Sequence, residues 1–90
     1  MIGADIFVDG IVQGVGFRWY TYNLANSFGL PGWVRNRMRG DVEVYVEGER
    51  EVVEEFIAEL RKGPRFGRVD AVEVTWKKAT GKYDMFKVAR

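Results

Sequence analysis

The stretch Gln13-Gly14-Val15-Gly16-Phe17-Arg18 lies between an apolar alternating run and a helical pattern. Backbone N–H groups in a tight turn of this kind converge on one point and form a nest for an anion. A helix that follows adds the positive end of its dipole at the same place. Gly14 and Gly16 suit positions that need positive φ, or where a Cβ would block a ligand's approach. Val15 and Phe17, alternating with them, anchor the loop in the core. Arg18 contributes a planar fork of donors matched to two oxygens of a phosphate or a carboxylate. The same residues also serve a plain tight turn ending in a surface arginine, and the loop by itself does not separate the two readings. Two familiar phosphate motifs are excluded. No GK[ST] follows, and a G-x-G-x-x-G begun at Gly14 reaches Trp19 where the third glycine belongs.

A second candidate is Asn36, at the end of Gly-Trp-Val-Arg-Asn (32–36) and beside the basic turn Arg-Met-Arg-Gly. Alone it reads as a turn residue. Next to an anion site, a neutral amide can hold a water by accepting one hydrogen bond and donating another. The chain has no His and no Cys, which removes imidazole bases, thiolate nucleophiles and zinc sites built on those ligands. No metal site and no cofactor is expected. Carboxylates offer no competing centre. Asp5 and Asp9 share a strand face but stand ~13 Å apart at about 3.3 Å per residue, and Glu51, Glu55 and Glu59 form a solvated helix stripe. Tyr20 and Trp33 are candidates for the pocket rim, with core packing as the simpler role.

Positioning these residues falls to a short series of elements. A strand is predicted over 4–12, with Ile6, Val8 and Val12 on one face. A helix follows over 19–28, its stripe made by Phe17, Tyr20, Leu24 and Phe28 and its stop by Gly29 and Pro31. Strands over Gly32–Asn36 and 42–47 flank a turn; in the second, Val42, Val44 and Val46 alternate with outward Glu43, Tyr45 and Glu47. The second helix, 49–62, has acids in its first turn, bases in its last, and Gly63-Pro64 as a stop. Strands over 69–76 and 85–88 complete the chain. The order predicts an α+β, ferredoxin-like βαββαβ sandwich: one antiparallel sheet with two helices on one face.

Ninety residues make one domain, 1–90, because either half would lack a workable core. At 47% hydrophobic and 30% charged, the composition is globular. No apolar stretch approaches the roughly 18 residues of a membrane span, and Met1 leads into a strand without a signal-peptide pattern. With no cysteine to suggest secretion, a cytoplasmic monomer is expected. Low Gln with abundant Glu, Arg and Val resembles thermophile composition. The net charge of +1 gives no polybasic footprint for nucleic acid. Arg18, Arg35, Arg37 and Arg39 nevertheless lie near the glycine loop and the next turn, predicting a locally positive pocket suited to a small anion.

VDGIVQGVGFR (8–18) resembles the first signature of the acylphosphatase family, and GWVRNRMRGDVEVYVEG (32–48) is similar to its second. Both match at every constrained position, in order and at the family's spacing, so the resemblance covers essentially the whole chain. One departure is Asp41, where family members often carry Ser or Thr after the turn glycine; this bears on the local turn and on pocket charge. The resemblance implies an enzyme that hydrolyses the carboxyl–phosphate bond of a small acyl phosphate. Its implied site has the backbone amides of Gln13–Arg18 and the Arg18 guanidinium on the phosphoryl oxygens, with Asn36 orienting the attacking water. A phosphate oxygen of the substrate then takes the water's proton, so a chain without His is compatible with it. The alternatives are a non-catalytic small-anion module and an RNA-binding ferredoxin-like module. Against RNA binding, the exposed face of the 42–47 strand carries Glu43 and Glu47 beside Tyr45, and these would repel a phosphate backbone.

Overall fold

The computed structural model describes residues 1–89. Seven elements follow in order: β1 (Ile2–Ile11), α1 (Phe17–Phe28), β2 (Gly32–Asn36), β3 (Val42–Gly48), α2 (Arg50–Lys62), β4 (Arg68–Lys78) and β5 (Phe86–Val88). The sheet order is β4-β1-β3-β2-β5. Apolar residues two apart point to one face of a strand, and antiparallel register aligns them across the sheet: Val74 pairs with Ile6, Ile6 with Val44, and Val44 with Val34. This row joins Phe17 and Ala25 of α1 and Val53, Phe56 and Leu60 of α2 in one buried core. The expected ferredoxin-like sandwich is therefore present. Among the described residues, no helix is long and apolar enough to cross a membrane.

The predicted stops act through identifiable bonds. Gly29 takes φ 69° past the end of α1. The Gly29 N–H donates to Asn26 O and the Leu30 N–H to Ala25 O, at 3.1 and 2.9 Å, the paired bonds of a Schellman motif.

In one respect the sheet departs from the expected antiparallel form. The four longer strands are antiparallel, but β5 pairs in parallel with β2, through Gly32–Phe86 and Val34–Val88. After β4, at one edge, the chain crosses the open face and adds a strand at the opposite edge, so the sheet is mixed. The strand directions have a consequence for function. β1 and β2 are both antiparallel to β3, and β5 runs with β2, so all three carboxyl ends lie at one end of the sheet.

The crossing segment also overturns the expectation that Glu43, Tyr45 and Glu47 face solvent. They are 6, 7 and 2% exposed. β3 is the central strand, so neighbours flank it on both sides, and residues 79–85 cover its far end. Glu47 accepts hydrogen bonds from the Thr80 N–H (2.7 Å), the Thr80 hydroxyl (2.9 Å), the Gly81 N–H (3.1 Å) and the Tyr45 hydroxyl. Trp33 stacks on Tyr45 at 6.0 Å from one side, and Tyr83 approaches it to 5.5 Å from another. Nearby, Arg35 holds Glu43 at 2.6 Å. Asp5 lines a shallow depression with Glu43 and Arg35, and Lys77 Nζ stands 3.4 Å from its carboxylate. Burial, then the proximity and charge of Glu43, raise the Asp5 pKa from its ordinary value, and Lys77 partly opposes them.

Glu47 yields a stability prediction. Burial alone would raise its pKa, but the bonds from Thr80, Tyr45 and Gly81 together outweigh burial and hold it below its ordinary value. A depressed folded-state pKa contributes stability above the unfolded pKa, and that stability is lost as pH falls through the folded value. Glu47→Ala removes the shared acceptor of four hydrogen bonds, of which the one from the Tyr45 hydroxyl is buried, and is expected to cost about 3 kcal/mol at neutral pH. Urea unfolding at pH 7 and pH 3 checks this. The gap between wild type and variant should narrow at the lower pH.

Candidate active site

β1 delivers the chain to residues 12–16, which turn it into α1. Val12 and Phe17, each 1% exposed, pin the two ends of this loop in the core, and Val15 packs against the core between them. Gly14 and Gly16 take φ of 75° and 78°. A Cβ built on either would meet nothing within 4 Å. Left-handed backbone, costing roughly 1–2 kcal/mol for an L side chain, is therefore what selects glycine, and open space lies in front of both. Gly16 caps α1 and brings no side chain to bond the free amides of the first turn, and among the described residues that turn carries no acid. α2 differs, with Glu51 in its first turn. The amino end of α1 thus keeps orphan N–H groups and an uncompensated positive dipole.

In front of this loop lies a cleft of about 680 Å³ lined by Val12, Gly14, Gly16, Phe17, Arg18, Trp19, Asn36 and Val88. Arg18 comes from the first turn of α1. Among the described residues its guanidinium makes no hydrogen bond or ion pair, so its fork is open to a ligand. Asn36 ends β2 and pairs with Val42. It shares a strand face with Gly32 and Val34, the face against the helices, while Trp33 and Arg35 point the other way. Its carboxamide oxygen is buried without a hydrogen-bond partner among the described residues. The loop follows β1, Asn36 ends β2 and Val88 ends β5, and the shared direction of these strands brings the three together.

Of the six loop residues expected to hold phosphate, Gly14, Gly16, Phe17 and Arg18 line the cleft, and Gln13 and Val15 do not. The Gln13 amide donates instead to Arg37 O at 2.7 Å and Asp41 O at 2.9 Å. That brace fixes the glycine loop to the β2–β3 turn, one residue beyond Asn36. Gln13→Ala loses both bonds and is expected to cost roughly 1–2 kcal/mol. Gln13→Glu should be worse, because a carboxylate cannot donate and would face two carbonyl oxygens. The midpoints of urea unfolding rank the two.

The predicted cluster of arginines resolves differently. Only Arg18 reaches the cleft. Strand alternation sends Arg35 to Glu43 on the other face, and Arg37 lies over the Phe7 ring at 4.8 Å with Asp41 at 3.4 Å. Asp41 is 4% exposed and lines a separate small depression with Arg37 and Arg39, so the departure from Ser or Thr adds no charge to the cleft lining. Tyr20 and Trp33 are not on the rim either. The Tyr20 hydroxyl donates to Glu59 O at 2.6 Å, tying α1 to α2. Trp19 and Val88 do line the cleft and were not anticipated. Trp19 had a local signal, as a large aromatic off the stripe of Phe17, Tyr20, Leu24 and Phe28. Val88 had none, since its place depends on the parallel pairing of β5.

The model of the acylphosphatase family matches residues 4–88 of the chain, which includes the loop, Asn36 and Val88. The chain belongs to the acylphosphatase family. A family relative from Roseiflexus sp. (strain RS-1), an acylphosphatase, is 43% identical over 88 residues, covering 98% of this chain and 95% of that one. Among solved structures, the acylphosphatase from Bacillus subtilis superposes with a TM-score of 0.97 at 34% identity, over the full length of both chains. The fold of this family also matches part of full-length HypF in its phosphate- and nucleotide-bound form, with a TM-score of 0.88 and 34% identity. All of this chain is covered there, and 12% of HypF.

Proposed function

We propose that the cleft hydrolyses small acyl phosphates, with Arg18, the amides of the glycine loop and Asn36 as its working parts. The observation that carries this reading is their combination around one cleft: a helix start without a side-chain cap or an acid, and, among the described residues, an arginine without a hydrogen-bond or ion-pair partner and a buried carboxamide oxygen without a partner. Phosphoryl transfer depends mainly on positioning and on stabilising charge at the phosphoryl oxygens. The loop amides and the Arg18 fork supply that stabilisation. Asn36 Oδ1 accepts a hydrogen bond from water and aims it at phosphorus. Water's oxygen bonds to phosphorus, the bond from phosphorus to the acyl oxygen breaks, and the carboxylate leaves. The water proton passes to a phosphoryl oxygen, so the products are a carboxylate and inorganic phosphate. A carboxylate is a stable leaving group, which removes the need for a strong acid in a chain without His.

Hydrolysis of benzoyl phosphate in ¹⁸O-labelled water tests this course. Label is expected in inorganic phosphate; label in benzoate would place the attack at the carbonyl carbon and contradict the role given to Asn36. The RNA-binding alternative is not supported, because the open sheet face is overlain by residues 79–85 and holds Glu43 and Glu47. We read the chain as one working domain, a cytoplasmic monomer without a nucleic-acid partner. The absence of cysteine and the net charge of only +1 support the cytoplasmic location and the lack of a nucleic-acid partner.

A further inference from the structure

The cleft is larger than a phosphoryl group needs. Its volume of about 680 Å³ falls in the range of roughly 300–1,000 Å³ that accommodates whole small molecules. Gly14, Gly16, Arg18 and Asn36 account for its polar side. Of the four apolar lining residues, Val12 and Phe17 are each 1% exposed and offer almost no surface. The accessible apolar surface therefore comes from Trp19, 63% exposed, and Val88, 40% exposed.

Trp19 is exposed but held. Its indole stacks on Tyr22, one helical turn on, with centroids 5.1 Å apart and planes 12° apart. Tyr22 in turn leans on Phe86 of β5 at 6.4 Å, and β5 also carries Val88. One face of the indole is thus supported through Tyr22 to the sheet edge. The side chain next to Arg18 in sequence presents the rest of its surface at the cleft.

We propose that Trp19, with Val88 beside it, is the subsite for the acyl group, and that it favours flat, apolar acyl groups over acetyl. This rests on the phosphoryl group being held by the glycine loop and Arg18. An aromatic acyl group gains a ring–ring contact at a fixed indole, worth up to about a factor of ten, whereas acetyl is too small to cover it. The subsite acts on choice of substrate and leaves phosphoryl binding to the loop.

The test compares kcat/KM for benzoyl phosphate and acetyl phosphate in wild type, Trp19→Ala and Trp19→Phe. It is paired with the affinities of benzylphosphonate and methylphosphonate, which are not hydrolysed. Trp19→Ala is expected to reduce both aromatic preferences about fivefold to tenfold, and Trp19→Phe to keep most of them. Inhibition by inorganic phosphate, which has no acyl group, should stay within about twofold. Unchanged preferences in Trp19→Ala overturn the subsite, as does a parallel loss for all four compounds and phosphate. If wild type hydrolyses neither substrate, yet benzylphosphonate outbinds methylphosphonate only when Trp19 is present, the hydrolytic reading falls and the subsite stands. A phosphonate preference indifferent to Trp19 removes the subsite whatever the turnover.

Discussion

Arg18→Ala is expected to lower kcat/KM for an acyl phosphate by about 10²–10³, a loss of roughly 3–4 kcal/mol in transition-state stabilisation, and to weaken inhibition by inorganic phosphate. The magnitude follows from the setting. Arg18 is half-buried at the cleft wall, its guanidinium makes no hydrogen bond or ion pair among the described residues, and it stands in the same turn as the orphan amides of α1. A donor held in place before charge develops on the phosphoryl oxygens costs no reorganisation during the reaction. Arg18→Lys should recover little, since an ammonium lacks the fork that meets two oxygens at once. Steady-state kinetics at fixed pH, with phosphate as inhibitor, measure both effects. Full activity in Arg18→Lys would mean that charge alone suffices.

Asn36→Ala is expected to act on a different parameter: kcat falls about 100-fold while inhibition by phosphate stays near that of wild type. Phosphate mimics what the loop binds, and it does not need the water that Asn36 orients. The buried, unpartnered Oδ1 motivates the assignment, because an acceptor in that position requires a donor from the bound complex. Asn36→Asp should fail differently. A carboxylate at the cleft repels the phosphoryl group, so phosphate inhibition weakens along with turnover. If Asn36→Ala loses phosphate binding as severely as Arg18→Ala, Asn36 is a ligand of the anion and not a guide for water.

Much of this was legible in the sequence, for reasons that differ by residue. Gly14 and Gly16 announce themselves because only a backbone with positive φ makes glycine useful twice within three residues. Val34, Val44 and Ile6 announce a common face because strand side chains alternate with period two. The same alternation applied to Arg35 and Arg37 would have separated them from Asn36; counting arginines near the loop in sequence put three of them in a pocket they do not enter. The burial of Glu43, Tyr45 and Glu47 was not legible locally. An alternating Val–Glu–Val–Tyr pattern describes a strand with one wet face, and what covers that face is a segment more than thirty residues later. Gln13 shows the same limit at the site. Its type fits an anion loop, but its hydrogen bonds go to Arg37 O and Asp41 O, a long-range brace that no local pattern encodes.

The position of the cleft follows from topology more than from any motif. β1 and β2 flank β3 and run in one direction, so the loop that leaves β1 and the last residue of β2 face each other across the end of β3. β5 then adds Val88 at the same end. The crossing segment that makes β5 possible is tied down by Glu47, at the far end of β3. Stability at one end of the sheet thereby supports the cleft at the other.

The central claim, that the glycine loop and the first turn of α1 hold the phosphoryl group, is tested most directly by titrating ¹⁵N-labelled protein with inorganic phosphate and following the backbone amides. The largest shifts are expected at Gly14, Val15, Gly16, Phe17 and Arg18, saturating together with one Kd equal to the competitive inhibition constant. Shifts confined to the basic turn at Arg37 and Arg39, or a loop that does not respond at saturating phosphate, would contradict it.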